Sequence, residues 1–180
     1  MDGGADFHVT AARECDLADL AAVAAATFPL ACPPSAAPAD ISAFIAANLS
    51  EQRFAEYRTD PERVVLTAAD AGRIIGYAML IRGVGDDPAV ADDVRQRPAV
   101  ELSKMYVLPD YHRTGAAAAL IRSGIDRATD CGAHALWLGV NQHNQRAQRF
   151  YRKHGFEVTG TRRFRLGAAL EDDFVMVRPL

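Results

Sequence analysis

Glu101-Leu-Ser-Lys-Met-Tyr-Val-Leu-Pro-Asp-Tyr-His-Arg-Thr-Gly-Ala-Ala-Ala-Ala-Leu-Ile121 decides the fold of this chain. The apolar run to Leu108 reads as a buried strand that Pro109 ends. A short loop holding Gly115 follows, and alanine-rich sequence opens a helix near Thr114 that continues to about Thr129. A strand that feeds a helix N-terminus through such a loop is an anion cradle. Free backbone N–H groups converge there, and the helix dipole adds about half a positive charge. The expectation is a phosphate-bearing ligand on this turn, with Gly115 and Ala117 small enough to let the backbone approach it.

Working outward, Phe7 to Ala12 reads as a first strand. Asp16 then caps a helix whose apolar face is Leu17, Leu20, Val23 and Ala24. Phe28 to Pro38 carries four prolines and is expected as a loop. Asp40 caps a second helix with Ile41, Phe44, Ile45 and Leu49, and Ser50 starts a further short turn through Phe54 and Tyr57. Arg63 to Ala69 and Arg73 to Ile81 are strands joined by the hairpin signal Asp70-Ala-Gly72. Arg82 to Pro98 is polar and reads as a surface loop. Beyond the opening stretch come a strand from Ala135 to Val140, a helix from Asn144 to His154 stopped by Gly155, and strands over Phe156–Arg165 and Phe174–Val177. Hairpins mixed with crossovers predict an α/β fold with a mixed sheet, in one domain spanning residues 1–180.

Composition excludes several functions. Hydrophobic residues at 49% and charged ones at 24% suit an ordinary soluble protein, and a net charge of −3 speaks against a nucleic-acid partner. No apolar run reaches the roughly 20 residues of a membrane span, so no membrane partner is expected. The N-terminus lacks a signal-peptide pattern, which makes the cytoplasm the expected location. Cys15, Cys32 and Cys131 are widely spaced, and His8, His134, His143 and His154 lack ligand spacing, so neither disulfides nor a metal site is expected.

Two motifs bring the chain close to a known family. His112-Arg-Thr-Gly115-Ala-Ala117 resembles the Gln/Arg-x-x-Gly-x-Gly/Ala loop of the GNAT superfamily of acyl-CoA-dependent N-acetyltransferases, with His112 in place of Gln or Arg. Asn144, Ala147, Phe150, Tyr151, Gly155 and Phe156 match that superfamily's second motif. Leu102 to Tyr111, Trp137 to Asn141, and the ending Phe164 to Met176 are most similar to the PaiA-type polyamine acetyltransferases. The resemblance implies a GNAT fold: a splayed seven-stranded mixed sheet flanked by about four helices. It further implies acetyl-CoA as co-substrate, a small-molecule amine such as spermidine as acceptor, and a homodimer as one assembly open to the chain. A protein N-terminus or lysine is the alternative acceptor, and a non-catalytic CoA-sensing module the alternative function.

The resemblance also assigns residues. His112, Arg113, Thr114, Gly115, Ala116 and Ala117 would hold the pyrophosphate, with Arg113 able to reach a phosphate bidentately. Backbone N–H groups of Met105, Tyr106 and Val107 would follow the pantetheine arm, while Leu102, Tyr106 and Leu108 alternate as one buried stripe. Asn144 is both a helix N-cap and a pantetheine contact, and Tyr151 would protonate the departing thiolate. Glu101 stands where several superfamily members carry a general base. A primary ammonium loses its proton in solution only near roughly pH 10.4, so some group must take it, and Glu101 would serve as base or as ammonium anchor. The acidic runs Asp86-Asp87, Asp92-Asp93 and Glu171-Asp172-Asp173 read mainly as solvated surface. Because no cysteine lies in either motif, direct attack of the amine on the thioester is expected.

Overall fold

The computed structural model describes residues 7–180. In chain order the elements are β1 (His8–Ala11), α1 (Leu17–Ala31), α2 (Pro38–Asn48), α3 (Glu51–Thr59), β2 (Arg63–Asp70), β3 (Arg73–Arg82), α4 (Pro88–Asp93), β4 (Ala99–Val107), α5 (Ala116–Asp130), β5 (Ala135–Asn141), α6 (Gln145–Lys153), β6 (Glu157–Leu166) and β7 (Ala169–Pro179). The seven strands form one sheet in the order β1-β2-β3-β4-β5-β7-β6. Every neighbouring pair is antiparallel except β4–β5, which is parallel and brief. The expected mixed seven-stranded sheet is therefore present, with six α-helices instead of about four.

The two extra helices have local causes. Ser50 accepts a hydrogen bond from Arg53 N at 3.2 Å, and the turn expected there becomes the full helix α3. Asp87 accepts from Ala89 N at 3.0 Å and starts α4 inside the segment read as a loop. Two expected caps are corrected. The Asp16 carboxylate turns back to Arg13, accepting from its backbone N at 2.8 Å and its guanidinium at 2.9 Å, so it caps no α1 donor. The second helix begins at Pro38, whose missing N–H costs nothing in a first turn, and Asp40 lies within that turn. The proline-rich loop also starts later than expected, because α1 continues through Pro29 to Ala31. Proline there withholds one donor from the Ala25 carbonyl, and Ala25 is exposed, so that acceptor is open to solvent.

Each face of the sheet carries its own core. Leu66, Ala78, Leu80, Leu102 and Val107 pack under α5 through Ala116, Leu120 and Ile121. Val65, Tyr77 and Met79 pack under α1 and α3 through Leu20, Val23, Phe28, Phe54 and Tyr57. Full burial of each such side chain stabilises by about 1.5–3 kcal/mol. A third cluster joins Val90 and Val94 to Trp137, Val175 and Val177, covering β5 and β7. Among the described residues no helix is long and apolar enough to cross a membrane, and no group of His, Cys, Asp or Glu is placed to hold a metal ion.

Candidate active site

The site is built on a break in the sheet. β4 and β5 are in register only over Ala99–Glu101 and Ala135–Trp137, and beyond those residues they part. Leu108 N–H donates to Ile75 O at 2.8 Å, which fixes the phase of the antiparallel β3–β4 ladder. Alternation then turns the polar groups of Tyr106 toward β3 and those of Met105 and Val107 toward the gap. Of the expected backbone donors, Met105 and Val107 therefore face the opening and Tyr106 does not. The opening continues as a cleft of about 600 Å³, lined on one side by α5 and α6 residues and on the other by α1, α2 and β6.

A register irregularity in β4, between the pairs at Lys104 and Leu102, sets what faces each side. Leu102 packs in the α5 core, whereas Tyr106 packs with Tyr77 and Met79 in the opposite core. The single stripe expected for Leu102, Tyr106 and Leu108 is corrected accordingly: the extra residue at Ser103 reverses the alternation. Glu101, Ser103 and Lys104 border the acceptor-side space together as a result.

The turn after β4 forms the expected cradle. Arg113 has φ 67° and Gly115 φ 100°, and Thr114 Oγ1 donates to Tyr111 O at 2.7 Å. A Cβ on Gly115 would meet nothing within 4 Å, so its positive φ, not crowding, calls for glycine. α5 has Gly115 as N-cap with no side-chain cap, and the first helical backbone bond runs from Ala119 N to Gly115 O at 2.9 Å. The N–H groups of Gly115, Ala116, Ala117 and Ala118 have no acceptor among the described residues. Ala116 offers only that N–H, since its side chain is wholly buried, while Ala117 lines the cleft. Arg113 and Thr114 are exposed. His112 is tied down: its Nε2 lies 2.9 Å from Val107 O, a group that only accepts. The ring can then donate to a phosphate through Nδ1 only when doubly protonated.

On the far wall, Asn144 Oδ1 accepts from Ala147 N at 3.1 Å and starts α6 as expected. Buried Gln148, absent from the sequence reading, donates to Asn141 O and Gln142 O at 3.2 and 2.9 Å and ties α6 to the end of β5. Tyr151 is held edge-on by Phe150 and Phe156, with centroids 5.4 and 5.7 Å away. Burial pushes its phenol up to about 12, and its hydroxyl, in the cleft, has no partner among the described residues. Burial likewise raises Tyr106, with Tyr151, Cys32 and Asp173 adding to the effect.

The acceptor side holds residues that the sequence reading passed over. Arg162 on β6 crosses the face of β5, with its guanidinium 5.5 Å from the Trp137 ring and against Gly139. It reaches Glu101 Oε1 at 3.4 Å and Asp173 Oδ2 at 3.5 Å. Asp173, read as one member of an acidic surface run, is buried and lines the cleft, whereas its neighbour Asp172 is exposed. Strand alternation was the signal that could have separated them. Burial raises the Asp173 carboxyl, and Arg162 pulls the other way. Glu101 lines a smaller adjoining cavity of about 350 Å³, which shares Ser103, Lys104, Arg162 and Phe164 with the main cleft. Cys32 also lines the cleft; its thiol donates to Phe28 O at 3.4 Å and is pushed up by burial and by Glu171.

Comparison with known proteins agrees with this geometry. A family model described as the acetyltransferase (GNAT) family matches residues 30–156. Uncharacterized N-acetyltransferases of Mycobacterium tuberculosis and Mycobacterium bovis are each 61% identical over 165 residues, covering 92% of this chain and 98% of the relative. A crystal structure of the PaiA N-acetyltransferase from Thermoplasma acidophilum in complex with coenzyme A superposes with a TM-score of 0.78. It is 19% identical and covers 97% of this chain and 99% of that one.

Proposed function

The chain belongs to the acetyltransferase (GNAT) family, and from that premise we propose that it transfers acetyl from acetyl-CoA directly to a small amine. One observation carries the reading. Ala117, in the first turn of α5 where the N–H groups are unpaired, and the protonated phenol of Tyr151 on α6 line one cleft, where β4 and β5 part. The four N–H groups from Gly115 to Ala118 suit the pyrophosphate of CoA, with Arg113 free to reach it from outside. The Met105 and Val107 N–H groups suit the pantetheine arm, and one of them would polarise the thioester carbonyl.

The amine nitrogen attacks that carbonyl, an N–C bond forms and the C–S bond breaks. Tyr151 gives its hydroxyl proton to the leaving thiolate and regains one from the acylated nitrogen, which sheds it to become the amide; a phenol at about 12 holds its proton at neutral pH. The ammonium proton passes to the carboxylates joined by Arg162. Asp173 is the member that shares the cleft with Tyr151, and Glu101, the group expected from sequence, holds the guanidinium from the other side. Direct transfer suits the one cysteine in the cleft: a Cys32 thiol with a raised pKa is a poor nucleophile.

Asp173 and Glu171, two acids on the cleft wall, suit the ammonium of an acceptor, and the polyamine implied by the sequence resemblance is one amine of that kind. The test is thiol release from acetyl-CoA over a panel of amines, with CoA affinity measured by calorimetry. Turnover with at least one amine is the expected result. CoA binding without thiol release at any pH favours the non-catalytic CoA-sensing module instead.

A further inference from the structure

Lys104 is a charged group of the acceptor chamber that no ion pair or hydrogen bond among the described residues holds. It lies on β4 at the junction of the two cavities and lines both. Its Nζ sits 5.7 Å from the centre of the Phe44 ring. No ion pair or hydrogen bond joins it to any described residue. The carboxylates that could serve it are held elsewhere: Glu101 and Asp173 both pair with Arg162. Burial pushes its pKa down, Glu101 opposes that, and Arg63 and Arg162 add to it. Glu101 and Asp173 make their contacts with Arg162, so the half-buried ammonium is left with no anion in direct contact.

Aromatic and apolar side chains make up much of the wall near Lys104. Phe28 and Phe44 stack with centroids 4.5 Å apart, and Phe164 meets Phe44 edge-on at 5.7 Å. Leu166 and Cys32 continue the wall. A linear polycation would bring more positive charge against Lys104 and would leave these aromatic faces to its methylene segments alone. An amine with an apolar body and one carboxylate satisfies all three features at once. Its ammonium meets Asp173, its body the phenylalanines, and its carboxylate Lys104.

Resting on the acetyltransferase reading above, we propose that the acceptor is a small amine bearing a carboxylate on an apolar body, the chemistry of an apolar amino acid, and that Lys104 binds that carboxylate. Lys104 is thus a specificity-determining residue on the sheet floor of the acceptor chamber. The carboxylate gives the Lys104 ammonium the direct contact partner that the folded chain does not supply.

The experiment uses the full chain with acetyl-CoA and reads thiol release for phenylalanine, leucine and methionine, for their carboxamides, and for spermidine. The acids should exceed their amides by about tenfold or more in kcat/KM, the scale of one partly desolvated ion pair. Lys104→Met should bring that ratio close to one through the KM of the acids, and Lys104→Arg should keep most of it. Amides equal to or better than acids, spermidine as the best acceptor, or a ratio that survives Lys104→Met would each overturn the inference and leave the acetyltransferase reading standing. No amine-dependent thiol release with any of these compounds or with the wider amine panel would overturn both.

Discussion

The guanidinium of Arg162 lies so close over Gly139 that a Cβ on that glycine would collide with it. Only a bare backbone on β5 lets the side chain cross from β6 to Glu101 on β4 while also meeting Asp173 on β7. The acidic part of the cleft is therefore set by a glycine that contributes no side chain. Gly139→Ala should push the guanidinium off the strand, loosen both ion pairs and destabilise the fold by about 1–2 kcal/mol. Amine kcat/KM should fall while CoA affinity stays within a few-fold. Calorimetric binding and thiol-release assays on the variant check this.

Tyr151→Phe keeps the ring contacts to Phe150 and Phe156 and removes only the hydroxyl. Turnover should drop by about 10²-fold with little change in CoA affinity or melting temperature. An unchanged rate would return Tyr151 to a packing role.

The same phenol gives a pH signature in stability. Its folded pKa of about 12 lies above the ordinary tyrosine value of 10.0, so the folded state keeps a proton that the unfolded state releases first. Stability from this group is full below about pH 10 and is lost as pH rises toward 12. Tyr77 and Tyr106 are raised by burial too and add in the same direction. Denaturant unfolding between pH 9 and 12 should show the loss, and Tyr151→Phe should make it shallower.

Asp173 and Glu101 are separable by experiment. Asp173→Asn should lower kcat by about 10²-fold or more and remove the acid limb of the pH–rate profile. Because burial raises its carboxyl, ionised Asp173 favours the unfolded state at neutral pH, where the unfolded carboxyl holds its charge more easily. Melting temperature at pH 7 should then stay level or rise in Asp173→Asn, a result that a purely structural acid would not give. Glu101→Gln should cost less in rate. If Glu101→Gln alone removes the acid limb, the proton goes to Glu101.

Arg113 occupies a left-handed conformation at φ 67°, which costs a non-glycine residue about 1–2 kcal/mol. Arg113→Gly should relieve part of that and hold or raise the melting temperature. If the guanidinium reaches the pyrophosphate, the same change should raise the KM for acetyl-CoA about three- to tenfold with kcat retained. A KM that does not move, and does not respond to salt, would leave Arg113 as a conformational choice alone.

Local features read well from sequence because their causes are local. Asn144 caps α6 through its own Oδ1 and Ser50 caps α3, both within one turn. The Asp70–Gly72 turn closes with Ala71 and Gly72 at positive φ, and Gly155 stops α6 the same way. Asp16 misled because a nearby arginine competed for its carboxylate, and Pro29 misled because a solvent-facing last turn tolerates a missing donor.

The stretch from Glu101 to Ile121 determined by itself that a strand would meet a helix across a phosphate-sized turn. Strand length, Pro109, Gly115 and the alanines are short-range causes that any fold must obey. The acceptor side was decided only in three dimensions. Ser103 slips the register against β3, which turns Glu101 and Lys104 to one side, and Arg162 reaches Glu101 across 61 residues of chain and joins it to Asp173. Which acid is buried and which lysine is left unpaired depends on strands that meet only after the sheet has closed. Burial and charge pairing are properties of that assembled surface, and no window of sequence contains them.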